Sequence, residues 1–306
     1  MLTPTTDVDR AVAAIDRGGV VAIPTETVYG LAADATNPAA VRRIFAIKGR
    51  PAGHPLIVHL ADGAQLDDWT RDVPPAARAL VALAWPGPLT VLLPRSDLVL
   101  DDVTGGRASV GLRVPAHPLT LELIRRTRPL AAPSANRFGS VSPTTAAHVL
   151  ADLGDHLDPD RDVILDGGAC PIGVESTIVD FCVDPPQILR AGGVPPEQVR
   201  ALMGADLADA SGPSRASGML ESHYAPSCPV LLVDTRKQAD VESRARPGSV
   251  VLDLTDDIAE YARTLYSSLR AADDGAASCV IAVLPPAAGL GHAIRDRLVK
   301  AAAPRR

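Results

Sequence analysis

Residues 162–190 read DVILDGGACPIGVESTIVDFCVDPPQILR. Three short apolar runs, 163–165, 176–181 and 187–190, succeed one another there with Gly- and Pro-rich turns between them. Runs of that length, bounded by turn residues, read as strands. Strands that follow one another without intervening helices depart from strict βαβ alternation. The stretch therefore predicts a mixed sheet with helices packed on it.

Upstream, strand-like runs recur at 20–23, 56–60, 90–93, 109–114 and 130–132. Helices are predicted over 7–17, where Asp7 can cap and Val8, Ala11, Val12 and Ile15 share a face, and from Asn37-Pro38 through about 47. Further helical stretches lie near 76–84, 118–126 and 144–153. Downstream, 204–227 is rich in Gly, Pro and Ser and reads as a linker. Beyond it, buried-strand runs at 230–234, 250–254 and 279–284, with helices over 256–271 and 290–302, predict a small parallel α/β domain. The expected organisation is a domain over 1–203, a linker or lid over 204–228 and a C-terminal domain over 229–306, with a frayed tail. No G-x-G-x-x-G follows the first C-terminal strand, so no dinucleotide site is assigned there.

The 306 residues, 46% hydrophobic and 22% charged, suffice for two cores at roughly 100–200 residues each and exclude a disordered or collagenous chain. No apolar run reaches the ~18–20 residues that span a bilayer. The opening MLTPTTD lacks a basic segment followed by an apolar one. The expected location is the cytoplasm. A net charge of -6 disfavours a free-standing nucleic-acid binder. Cys170, Cys182, Cys228 and Cys279 form no C-x-x-C pair and read as small buried residues. Only Lys48, Lys237 and Lys300 are lysines and only Asn37 and Asn136 are asparagines, so each stands out.

Five segments carry candidate chemistry. Residues 24–31, PTETVYGL, place hydroxyls, a carboxylate and a phenol at a strand end, suited to a small polar substrate or to capping a turn. Residues 48–59, KGRPAGHPLIVH, gather Lys48, Arg50, His54 and His59 around a Gly/Pro loop. Lysine as a point charge and arginine as a fork suit a polyphosphate; a solvated basic loop is the plainer alternative. Arg113, among alternate apolar residues and preceded by Ser109, needs a buried anion, either a ligand or a protein acid. Residues 132–144 run from a strand into a hydroxyl-rich loop with Ser134, Asn136 and Ser142, able to coordinate phosphate or simply to cap a helix. Residues 173–192 add Ser176 and Arg190 at strand ends, and His223-Tyr224-Ala225-Pro226 offers an aromatic lid. Walker, zincin, nucleophile-elbow and EF-hand signatures are absent.

In order, PTETVYGL (24–31), KGRPAGHPLIVH (48–59), GLRVP (111–115), APSAN with SP (132–136 and 142–143), ESTIVD (175–180) and ILRAG (188–192) resemble the YrdC-like family. SGMLESHYAP (217–226) and the small α/β domain resemble its longer, two-domain form. The resemblance implies that 1–203 is a catalytic domain, a twisted mixed sheet with a concave, positively charged cavity. It also implies a nucleotidyl transfer in which L-threonine, bicarbonate and ATP give threonylcarbamoyl-AMP and pyrophosphate, with Mg²⁺ alongside ATP. A partner complex would then pass the threonylcarbamoyl group to tRNA, without stable tRNA binding here. By the same resemblance Thr27, His59, Arg113, Ala132 and Ser176 would hold threonine. Lys48, Arg50, His54, Ser109, Ser134, Asn136, Ser142 and Arg190 would surround ATP, with Lys48 and Arg50 catalytic and Tyr224 covering the nucleotide. Metal ligands are not assigned. The competing reading is a double-stranded RNA-binding module, which the acidic balance and lack of an RNA-binding signature weigh against.

Overall fold

The computed structural model describes residues 2–204, 207–209 and 224–304. In chain order the first strands are β1 (Val21–Ile23), β2 (Gly30–Asp34), β3 (Ile57–His59), β4 (Leu89–Pro94), β5 (Ser109–Arg113), β6 (Leu130–Ala131), β7 (Val163–Ile164), β8 (Thr177–Asp180), β9 (Gln187–Arg190) and β10 (Ala208–Asp209). They form one sheet in the order β10-β9-β8-β4-β5-β3-β6-β2-β1-β7. Its pairings are mixed in sense: β8–β9 is antiparallel, β4–β8 and β3–β5 are parallel, and β3–β6, β6–β2 and β2–β1 are antiparallel. The mixed sheet read from 162–190 is present. A second sheet joins β11 (Val230–Val233), β12 (Ser249–Leu252) and β13 (Cys279–Val283), all parallel, in the order β11-β13-β12.

Local chemistry explains the helix starts. Asp7 accepts from the backbone amides of Asp9 and Arg10 to open Val8–Asp16, and Asn37 accepts from those of Ala39 and Ala40 to open Pro38–Lys48. Gly49 closes the second helix at φ 63°, a left-handed conformation that favours glycine. The Arg137 guanidinium donates to the Ile47 carbonyl there.

Several elements depart from the sequence reading, among them the short helices Leu66–Trp69 and Asp101–Thr104. β2 is a strand although two of its five residues are alanine, a weak strand former; full burial on both faces overrides propensity. Helix Pro196–Met203 was not anticipated. Nor was helix Arg236–Ala245, too charged to show an apolar stripe, with Ala239 its buried residue and a Thr235/Gln238 capping box fixing its start. Within the stretch read as a linker, β10 adds a short parallel strand beside β9, while residues 210–223, including His223, lie outside the described residues. The four cysteines are free, but Cys182 is exposed and Cys228 half-buried, so the all-buried reading holds for Cys170 and Cys279.

Helices Val8–Asp16 and Pro118–Arg126 cover one side of the large sheet through Ala11, Ile15, Leu123 and Ile124, while the main core gathers Ile44, Leu80, Leu112 and Val149. A further apolar cluster is shared. Val28, Val141 and Val174 of the large sheet's loops pack with Tyr224 and with Tyr266, Ile294 and Leu298 of helices Ile258–Asp274 and Gly291–Ala302. The small sheet's helices thus seat against the loops that carry the candidate motifs. No helix among the described residues is long and apolar enough to cross a membrane.

Candidate active site

Strand ends from across the large sheet converge on one cavity. Its walls come from Thr25 and Thr27 after β1, Arg50 after helix Pro38–Lys48, Ile57 and His59 on β3, Arg113 ending β5, and Ala132 to Ser134 after β6. Glu175 and Ser176 before β8, Arg190 ending β9, and Tyr224 complete it. The cavity volume is ≈ 50 Å³, space for a few waters and not for a nucleotide.

At one end, the register of β3 on β5 sets His59 beside Arg113. Arg113 Nη2 donates to Glu26 Oε1 at 2.7 Å and to Thr27 Oγ1 at 2.9 Å. Glu26 Oε2 accepts from the Ala116 amide at 3.0 Å. Burial alone would raise the Glu26 carboxyl, but the adjacent Arg113 charge brings it below its ordinary value. Of the two partners open to a buried arginine, a protein acid is therefore in place, and Arg113 still faces the cavity. Burial, reinforced by Arg113, holds His59 at about 3, so its ring is neutral near pH 7. Ser176 Oγ lies 2.7 Å from the Thr90 hydroxyl.

At the other end, Arg190 donates through Nε and Nη2 to the Ser176 carbonyl at 3.0 and 2.9 Å, and through Nη2 to its hydroxyl at 3.1 Å. Gly192 lets this turn close, since a Cβ there would fall 2.2 Å from the Glu175 carbonyl oxygen. Arg50 Nη2 donates to the Pro55 carbonyl at 3.0 Å, its guanidinium lies 5.6 Å from the Phe138 ring centroid, and burial draws it down to about 10. Tyr224, at φ 62°, is stacked 5.6 Å from Tyr266 and roofs this end, with burial and the nearby Glu175 pushing its hydroxyl up to about 12.

The cavity thus gathers Thr27, His59, Arg113, Ala132, Ser176, Arg50, Ser134, Arg190 and Tyr224 of the residues singled out in the sequence. Lys48, His54, Ser109, Asn136 and Ser142 lie outside its lining. Lys48 Nζ is buried behind the wall, donating to the Ser134 and Asn136 carbonyls at 2.6 and 2.5 Å. Burial and then Arg50 push its amine well below the usual lysine range. Asn136 donates to the Arg137 and Ser140 carbonyls, both at 2.8 Å, and its Oδ1 is buried without a partner among the described residues. Ser142 Oγ donates to Glu175 Oε1 at 2.7 Å. His54 meets Phe138 edge-on at 5.2 Å, and Ser109 opens β5 opposite Pro94. Sequence reading gave no role to Glu175. Its position just ahead of the run Thr177-Ile178-Val179 was the available signal, because a carboxylate buried there needs a buried cation.

Chemically, the cavity offers three guanidinium groups and several hydroxyls. Among the described residues no lining hydroxyl bonds to a histidine. The arrangement favours binding and aligning anions over attack by a protein nucleophile.

A family model described as telomere recombination, covering Sua5, YciO and YrdC, matches residues 13–192. A second, described as the threonylcarbamoyl-AMP synthase C-terminal domain, matches residues 194–303. The chain is 39% identical to a curated threonylcarbamoyl-AMP synthase from Pyrococcus abyssi over 94% of its own length and 91% of the relative's. It is 40% identical to the Bacillus subtilis enzyme of that name, over 96% and 92%. The crystal structure of P. abyssi Sua5 complexed with L-threonine superposes with a TM-score of 0.89, at 38% identity, covering 96% of this chain and 94% of that one. These relationships do not favour the RNA-binding reading. With both units matched in order, the chain belongs to the Sua5/YciO/YrdC family, in its two-domain threonylcarbamoyl-AMP synthase form.

Proposed function

We propose that this protein condenses L-threonine, bicarbonate and ATP into threonylcarbamoyl-AMP and pyrophosphate, supplying an activated group for tRNA threonylcarbamoyladenosine modification by a separate transferase complex. The observation that carries the reading is the placement of Arg113, Arg50 and Arg190 around a single cavity walled with hydroxyls. Threonine fits the Arg113 end, its carboxylate against that guanidinium and its polar groups toward Thr27, His59 and Ser176. The nucleotide fits the Arg50 and Arg190 end, with Tyr224 as its cover. Because Tyr224 fills much of that end, nucleotide entry requires the tyrosine to lift.

The threonine amine attacks bicarbonate carbon and loses water to give a carbamate. A carbamate oxygen then displaces pyrophosphate from the α-phosphorus of ATP. Neutral His59 can accept a hydrogen bond without adding positive charge beside the amine. Arg50 and Arg190 would stabilise charge growing on the leaving pyrophosphate. Lys48 acts through the loop it anchors, fixing Ser134 and Asn136 by their carbonyls.

The residues present do not fit a resident metal ion. Among the described residues no group of three metal-ligating side chains occurs, and Glu175 in the wall and Glu26 behind Arg113 both serve guanidinium groups. Magnesium accordingly belongs with ATP as its counter-ion. Incubation with threonine, bicarbonate and Mg·ATP should release pyrophosphate in a threonine-dependent way; release that ignores threonine, or none, defeats the reading.

A further inference from the structure

Glu175 sits where the two units meet. Its Oε2 accepts from Arg297 Nε and from the Tyr266 hydroxyl, both at 2.8 Å, while Oε1 accepts from Ser142 Oγ at 2.7 Å. Arg297 and Tyr266 belong to helices Gly291–Ala302 and Ile258–Asp274, which flank the small sheet. Arg297 is 0% exposed, and its Nη1 also donates to the Ala191 carbonyl at 3.0 Å, the residue after Arg190. Asp296, a second acceptor for Arg297, is itself paired with Lys300. Neither Arg297 nor Tyr266 lines the cavity.

Two guanidinium charges act on this carboxylate. Burial would raise Glu175, yet Arg297 and then Arg190 hold it at about 2. Arg190 bonds to Ser176, the residue after Glu175, and both Arg190 and Glu175 line the cavity, so the carboxylate satisfied by Arg297 is also a neighbouring anion for Arg190. A buried carboxylate stripped of its partner is costly to keep charged, which favours its capture of another cation close by.

We propose that Arg297 is a positioning residue: by neutralising Glu175 from the C-terminal unit, it leaves Arg190 directed into the cavity toward the polyphosphate of the nucleotide. The inference rests on the functional reading above and gives the C-terminal unit a chemical task at the site. In the absence of Arg297, Arg190 turns onto Glu175 and the nucleotide loses a cation, whereas the Arg113–Glu26 pair keeps its bonds.

Steady-state kinetics of the full-length enzyme test this. Arg297→Met should raise KM for ATP about tenfold or more and leave KM for threonine within about twofold. Glu175→Gln/Arg297→Met, which removes both charges, should have a KM for ATP at least about threefold lower than Arg297→Met alone, the non-additivity that a double-mutant cycle reads for a coupled pair. Arg297→Lys, keeping the charge, should raise it by no more than about threefold. Where Arg297→Met does not fold, Arg297→Lys carries the test. A double variant as impaired as the single one, a parallel rise in both KM values, or an unmoved KM for ATP in Arg297→Met overturns the inference. Wild-type protein lacking threonine-dependent turnover would instead sink the functional reading beneath it.

Discussion

The two ends of the cavity bury the same device, a glutamate against an arginine, and assemble it in different ways. Glu26 and Arg113 both belong to the large sheet, 2.7 Å apart, and are completed by the Thr27 hydroxyl and the Ala116 amide. Glu175 also belongs to the large sheet, but its arginine comes from the far unit across 122 residues of chain. Each pair keeps a carboxylate ionised in a site that desolvates it, and in neither is the pair itself the source of binding. A buried ion pair adds little net stability, yet losing one partner is costly. The first end is therefore self-sufficient, and the second depends on docking of the C-terminal unit.

The largest expected effect breaks the self-sufficient end. Arg113→Ala should lower kcat/KM for threonine by about 10³-fold or more and destabilise the fold by about 3–5 kcal/mol, because Glu26 is left buried and unpaired. Steady-state kinetics and denaturant titration measure the two parts. Full activity in a folded Arg113→Ala protein would remove that residue from the site.

Next come the cations of the opposite end. Arg50→Ala should cut turnover by about 10²-fold, the usual scale for one lost charge-stabilising group. Lys48→Ala should do likewise with the fold intact, acting through the 134–136 loop. Pyrophosphate release and circular dichroism check both. A Lys48→Ala protein with normal rates would show that the loop holds its shape without the ammonium.

The smallest effects concern pH. Glu175, at about 2 against an ordinary 4.5, contributes stability that is complete above pH 4.5 and lost as the pH falls toward 2. His59, at about 3 against 6.5, stays neutral in the fold while the unfolded chain takes up a proton, so stability already declines as the pH falls below 6.5. Tm measured against pH should therefore fall in two stages, and His59→Gln should flatten the stage between pH 6.5 and 4.5. An unchanged profile in that variant would assign the upper stage to another group.

Much of this molecule is legible in its sequence, for identifiable reasons. Asp7 and Asn37-Pro38 mark helix starts by capping chemistry that acts within three residues. The apolar runs of β4, β5 and β8 mark strands because the sheet buries both faces. β2 is illegible because alanine carries no strand signal, and Arg236–Ala245 because its single buried residue leaves no stripe. At the site, residue type singled out cations that meet at one cavity but not how far each reaches. Lys48 and Arg50 differ by two positions, yet Arg50 lines the cavity and Lys48 ends on carbonyls behind it. Arg297 passes for a solvent charge in a helix. The overlooked clue is that it falls on the stripe of Ala293, Ile294, Leu298 and Ala301, which is buried.

The span between Glu175 and Arg297 also has a temporal meaning. At 5–20 residues per second, a ribosome needs on the order of ten seconds to make the 122 residues separating them. During that interval the Arg113 end can fold around partners already synthesised, while Glu175 must wait in water for a guanidinium that does not yet exist. The nascent protein would then acquire its amino-acid seat before its nucleotide seat, and the helix that carries Arg297 would bring the enzyme to competence.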